Sequence, residues 1–217
     1  MPLISDRWVQ NNYFIDSRRN GLVILQNKYS HLWKEVKFVL KGFRLYFDEI
    51  ANAGGGKSQV TQRLENLFKH KGWEAVEFQE LNTLRMGKNI GTSNEQIKDE
   101  FNINSQTHEI DLFKEKVAIE IEWNNKHQFY SRDLETFDYL YKTGIIDLGI
   151  IITKHTSLHA FFDTLGYYIA TREKIAKKFA STHTHTDKLY KLLQANRCSC
   201  PIIVIGLTDS VYRVRRT

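Results

Sequence analysis

Apolar and polar positions change period along the chain. Residues 25 to 43, "LQNKYSHLWKEVKFVLKGF", place Leu32, Trp33, Val36, Val39, Leu40 and Phe43 at helical spacing, with Gly42 where a helix would end. The pattern predicts an amphipathic helix. Residues 58 to 72 repeat it, with Ser58 as N-cap, Val60, Leu64, Leu67 and Phe68 along one face and Gly72 past the end. Residues 82 to 106 carry Asn, Gly, Ser and Thr with little periodicity and read as a long loop, which in a compact domain is usually functional or disordered.

The period then falls to two. "THEIDLF" and "VAIEIEW" alternate apolar and polar residues around "KEK" and predict a β-hairpin turning at Glu115 and Lys116. Beyond it the pattern predicts a helix over about 130 to 143, a buried strand "IDLGIIITK", helices near 157 to 169, 172 to 180 and 187 to 195, and a strand "PIIVIGL". Mixed strands and helices predict an α/β fold, with α+β as the alternative, built on a central mixed sheet flanked by helices. The 217 residues suit one domain, 1–217, and no internal repeat is visible.

Composition narrows the class. Hydrophobic residues at 41%, aromatics at 12% and two prolines describe a folded protein rather than a disordered one. No apolar run reaches the length of a membrane span, and "MPLISDRWVQ" lacks the apolar stretch of a signal peptide, so a cytoplasmic protein is expected. A formal net charge of +6 favours a polyanionic partner without identifying one. Cys198 and Cys200 have no second cysteine pair nearby and read as reduced structural thiols rather than a zinc site.

The hairpin carries the chemistry. Pairing about its turn sets Asp111 opposite Glu120 and Glu109 opposite Glu122, so that four carboxylates share one face. Ile110, Leu112, Ile119, Ile121 and Trp123 fall on the other, toward the core. Like charges facing each other on a sheet are destabilising unless solvated or bound by a cation, and an all-oxygen ligand set suits Mg²⁺. A solvated hairpin face is the plainer reading. Asn124, Asn125 and Lys126, which follow directly, can hydrogen-bond base edges. Ligands for a metal beside readers of bases point to a nuclease.

The run "EIDLFKEKVAIEIEWNNK", with an Asp followed nine residues later by Glu-x-Glu, resembles the PD-(D/E)xK nuclease motif in the variant of type II restriction endonucleases of the BglII and BstYI kind. "IDLGIIITK" and "AGGGKSQVTQRLENLFKHKGW" are similar to the strand after that motif and the Gly-rich loop and helix before it, so the likeness covers a catalytic core of roughly 50–155. The resemblance implies that Asp111 and Glu120 bind Mg²⁺, for which Mn²⁺ can substitute. Glu65 approaches the same site from the preceding helix, and Asn124 and Asn125 read bases. Glu122 stands where most of the superfamily has Lys; its implied role is to orient or deprotonate water, or to ligate a second cation. The resemblance also implies a homodimer acting on palindromic double-stranded DNA, often with a GATC core, and a matching DNA methyltransferase in the same cell.

"ANAGGGKS", Ala51 to Ser58, has the glycines, Lys57 and Ser58 of a nucleotide-binding loop, but no continuous buried strand leads into it. Its residues fit a DNA phosphate at a helix N-terminus, or a structural turn with a solvated Lys. The rivals to a nuclease are an inactive DNA-binding protein on the same fold and a P-loop nucleotide-binding protein. His183 and His185 in "THTHT" read as a polar loop before a helix; Arg172, Lys174, Lys177 and Lys178, with Arg213, Arg215 and Arg216, could track phosphates or solvate a surface. His108 and His127 flank the hairpin.

Overall fold

A computed structural model describes residues 6–51, 57–104, 107–126, 128–167, 172–179, 183–195 and 198–214. Its N-terminal half contains α1 (Arg7–Asn12), β1 (Tyr13–Arg18), α2 (Gly21–Asn27), α3 (Ser30–Gly42), β2 (Leu45–Tyr46), α4 (Phe47–Ala51), α5 (Gln59–Lys69), β3 (Glu74–Phe78), β4 (Leu81–Lys88) and β5 (Gln96–Asn104). There follow β6 (His108–Lys114), β7 (Val117–Glu122), α6 (Phe129–Lys142), β8 (Leu148–Lys154), α7 (Leu158–Thr164), α8 (Ile175–Lys178), α9 (Thr186–Ala195), β9 (Ile202–Leu207) and β10 (Tyr212–Arg213). No helix among the described residues is long and apolar enough to cross a membrane.

Six strands form one mixed sheet in the order β1-β9-β8-β7-β6-β3. β7, β8 and β9 run parallel, and β1, β6 and β3 join antiparallel to their neighbours. The parallel strands are buried along their whole length, as expected of strands covered on both faces. One face packs Ile119, Ile121, Ile150, Ile152, Ile203 and Ile205 against α2, α3, α5 and α7. The other packs Ala118, Ile151 and Val204 against α6 and α9. The sheet therefore lies between two helical layers, the α/β reading of the sequence, with β1 and β9 supplied from outside residues 50–155. Gly149 lets α6 come close: a Cβ there would stand 2.3 Å from the Phe137 ring.

Three sequence expectations change. The helix expected over 25–43 is two, α2 and α3, because the chain breaks direction at Lys28 and Tyr29. The loop expected over 82–106 is, through residue 104, a paired ribbon: β4 and β5 run antiparallel, with Leu84 opposite Phe101 and Asn82 opposite Ile103. Every residue of both strands is exposed, so the ribbon has no buried face to impose the clean alternation that marks a strand. Its register shifts between Met86 and Gly87, where a Cβ would sit 1.9 Å from the Gln96 carbonyl oxygen and only glycine fits. The helix expected over 157–169 ends at Thr164.

A fourth change bears on the site. Register along β6 and β3 moves from Glu74↔Phe113 to Val76↔Ile110, two residues on β3 against three on β6. The extra residue is a β-bulge at Asp111 and Leu112, which reverses the facing of everything before it. Ile110 consequently packs with Ala118 and α6 instead of joining Leu112 in the opposite core. Glu109 pairs with Glu77 and is exposed, so it does not face Glu122 as the unbulged hairpin would require.

Candidate active site

The hairpin turns where the alternation placed it, with Glu115 in the left-handed region at φ 55°. Its register, Leu112↔Ile119, brings Asp111 against Glu120. Beyond that pair the ladder gives way to the Asp111 side chain, whose Oδ2 accepts the Ile121 backbone N–H at 2.9 Å. Glu120 and Glu122 point toward α6 and are 3% and 2% exposed. Glu122 is held from behind by its own carbonyl oxygen, which accepts from Thr153 Oγ1 at 2.7 Å and Thr184 Oγ1 at 3.3 Å.

The fourth carboxylate is Asp133, on the inward face of α6 and 1% exposed. The alternation rule nominated Glu109 for that place. Asp133 was nevertheless visible in principle, because Tyr130, Leu134, Phe137 and Leu140 form the apolar stripe of α6 and Asp133 lies within it. Arg132 Nη2 reaches Asp133 Oδ1 at 3.1 Å.

Burial and mutual repulsion dominate the electrostatics. Burial, then the charges of Asp133 and Asp111, raises Glu120 well above the ordinary carboxylate range. Glu122 is pushed to about 9 by burial and then by Asp133, against a hydrogen bond from Asn125 that favours the ionised form. Asp133 rises to about 6, with burial the leading cause and Arg132 opposing it. Among the described residues, Glu122 Oε2, Asp133 Oδ2 and Asn124 Oδ1 are buried without a hydrogen-bond partner.

Lys57 supplies a second cation to the carboxylate group, beside Arg132. Its Nζ pairs with Glu65 Oε1 and stands 3.5 Å from Asp111 Oδ1. Burial would lower the Lys57 pKa, but the Glu65 and Asp111 carboxylates raise it above its ordinary value. Glu65, 4% exposed on α5, thus meets the carboxylate group through this ammonium. Ser58 caps α5, its Oγ accepting the Thr61 N–H at 3.0 Å. The helix α4 precedes the loop, so the strand-loop-helix context of a nucleotide site is missing; Gly54, Gly55 and Gly56 lie outside the described residues.

Asn124, Asn125 and Lys126 leave the end of β7 next to the carboxylates, Asn124 half-buried and the other two exposed. The Thr184 N–H donates to the Asn125 carbonyl at 2.9 Å, and Lys126 bridges to His183, which fixes this segment against residues 183–185. His185 is buried there, its ring edge-on to His159 at 4.7 Å. Burial, followed by the His159 charge, lowers it to about 4. Lys154, at the end of β8, escaped the sequence reading. It is fully buried, donates to the Trp123 carbonyl, and is lowered to about 7 by burial with Glu122 opposing. Cys198 and Cys200 are buried thiols that form no disulfide. His127, Arg215 and Arg216 lie outside the described residues.

No three His, Cys, Asp or Glu side chains among the described residues converge as a ready-made metal cage. The donor set still fits a hard cation. It is entirely carboxylate oxygen and mutually repelling, with Glu120, Glu122 and Asp133 buried and Asp111 half-buried, and includes oxygens with no donor.

The fold and this geometry accord with the comparison of the chain with protein families: residues 13–207 match the family described as restriction endonuclease BglII/BglIII. The chain belongs to that family. It is accordingly a type II site-specific deoxyribonuclease with DNA as its substrate, and enzymes of this kind generally use a divalent metal. The match runs beyond residues 50–155 at both ends and takes in β1 and β9, the strands that complete the sheet of this nuclease. No curated protein matches the chain.

Proposed function

We propose that the protein hydrolyses phosphodiester bonds of double-stranded DNA at a short palindromic site in an Mg²⁺-dependent reaction, Mn²⁺ substituting. The supporting observation is the group of buried carboxylates at the end of β7, with donor-less oxygens, directly before the segment Asn124–Lys126. Asp111 and Glu120 would hold the ion, which when bound acidifies water and offsets charge on the phosphate. Asp111 is oriented for this by the Ile121 N–H. Glu122 orients the attacking water and takes its proton as the water oxygen bonds to phosphorus and the bond to the departing sugar oxygen breaks. Without a cation, burial and Asp133 keep Glu122 protonated at neutral pH, so it becomes a base only when the site is loaded.

Glu65 supports the site through Lys57, and Lys57 with the N-terminus of α5 at Ser58 faces the DNA phosphate. Asn124, Asn125 and Lys126 read base edges; the Asn125 amide, bonded to Glu122, links readout to the reacting group. A homodimer matches the symmetry of a palindrome, and a matching methyltransferase protects the host DNA in the cytoplasm. The decisive experiment incubates the purified protein with plasmid and Mg²⁺ and sequences the ends. One recurrent palindrome, no cutting in chelator, and loss of cutting in Asp111→Ala are expected. Random ends, or cutting by the Asp111→Ala protein, would overturn the reading.

A further inference from the structure

Lys154 closes β8 on the face of the sheet opposite the carboxylates. Ile150 and Ile152, its alternate neighbours, pack in the layer of α2, α3, α5 and α7, whereas Thr153 turns to the Tyr130 hydroxyl of α6 at 2.6 Å. The lysine is fully buried, and among the described residues no carboxylate forms an ion pair with it. Its Nζ donates to the Trp123 carbonyl and stands 5.2 Å from the centre of the Trp123 ring and 5.4 Å from that of Phe179. An ammonium has three N–H donors, so one carbonyl and two ring faces offset only part of the cost of removing it from water. An apolar side chain would fill the same space without that cost. What the ammonium gains is a grip on one peptide. The β7–β8 ladder ends at Glu122 and Thr153. From there the Glu122 carbonyl accepts from Thr153 and Thr184, the Trp123 carbonyl from Lys154, and the Asn125 carbonyl from the Thr184 N–H. Asn124 and Asn125 leave the sheet directly after the carbonyl that Lys154 holds.

We propose that Lys154 is a positioning residue for base readout: by clamping the Trp123 carbonyl from the far face of the sheet, it sets the direction in which Asn124 and Asn125 leave β7. Buried as it is, it touches neither DNA nor metal and acts through the backbone alone. What the two asparagines read rests on the nuclease reading above; the clamp itself does not.

Lys154→Met keeps an unbranched stem in the apolar slot and removes the donor. In the full chain without DNA, backbone order parameters of residues 124–126 from ¹⁵N relaxation should fall from rigid values near ~0.85 to below about 0.6, with those of β7, β8 and β9 unchanged. On plasmid with Mg²⁺, sequenced ends from the variant should spread to sites one base away from the wild-type palindrome. The ratio of cognate to one-base-changed cleavage should drop by about tenfold, the share that one good contact to a base edge supplies. Lys154→Gln, which returns a shorter donor to the same slot, should recover part of both losses, and it decides on the same readouts if Lys154→Met does not fold. A lysine that only fills the core would lower the melting temperature while residues 124–126 stay rigid and the ends stay uniform; that result, or the failure of both variants to fold, overturns the inference. Wild-type ends with no recurrent palindrome remove the nuclease reading, and the order parameters still decide the clamp. Unchanged order parameters beside a clean palindrome remove this inference alone.

Discussion

Replacing Glu122 with Gln should make the metal-free protein more stable at neutral pH. Glu122 carries a carboxyl whose pKa rises from 4.5 to about 9 on folding, through burial first and Asp133 second. A raised acid pKa means that the native state keeps a proton the unfolded chain has lost. Its stability is therefore unpenalised below pH 4.5 and declines as pH rises toward the native value. Each pH unit in that window costs about 1.4 kcal/mol, so from 4.5 to pH 7 the penalty reaches about 3 kcal/mol. Any native pKa above 7 gives the same figure. Gln has the same shape, offers the Asp133 carboxylate an N–H donor, and does not titrate. Urea unfolding in chelator at pH 5 and pH 7 should show the variant ahead by under about 1 kcal/mol at the lower pH and about 3 kcal/mol at the higher. Saturating Mg²⁺ should shrink or reverse the gap, since binding to the native wild type stabilises it by mass action. Equal stability of the two proteins at pH 7 without metal would refute the argument, because Glu122 would then carry no desolvation penalty.

Ser58→Ala removes the acceptor of the Thr61 N–H and should cost about 1 kcal/mol in denaturant unfolding. Lys57→Gln frees Asp111 from a competing ammonium, so calorimetry should find tighter Mg²⁺ binding while duplex affinity falls; weaker Mg²⁺ binding would mean that Lys57 organises the ligands instead. Gly149→Ala drives a methyl into the Phe137 ring and should destabilise by about 1–3 kcal/mol, with a lower melting temperature as the check. Duplex affinity measured across a salt series should fall steeply as phosphate contacts release counterions, and a flat response would argue against a basic DNA-binding surface.

The layered α/β fold and most of the candidate site were legible because the hairpin announces itself. Period-two alternation, a turn between Glu115 and Lys116, and Glu120 and Glu122 on one face are all local properties. The bulge was not legible, since one extra residue changes phase without changing composition, and it moved Glu109 out of the site. Asp133 comes from a different element, and only packing brings α6 over β7; the sole trace in sequence is an acid within an apolar stripe. The β4–β5 ribbon failed for the opposite reason. Leu84 and Met86 do alternate with polar residues, but with neither strand buried the Asn, Gly and Ser around them outweigh the signal.

The bulge at Asp111 also ties the candidate site to the whole molecule. Ile110 and Leu112, the residues on either side of that aspartate, are anchored in opposite hydrophobic layers, both essentially fully buried. On a regular strand they would share one layer, and Asp111 could tilt about that single attachment. Here it is gripped from both sides, like an axle in two bearings, so a change in either layer is felt at the same carboxylate. Distant repacking beneath α5 or beneath α6 should then shift this carboxylate, and with it the metal affinity proposed for the site.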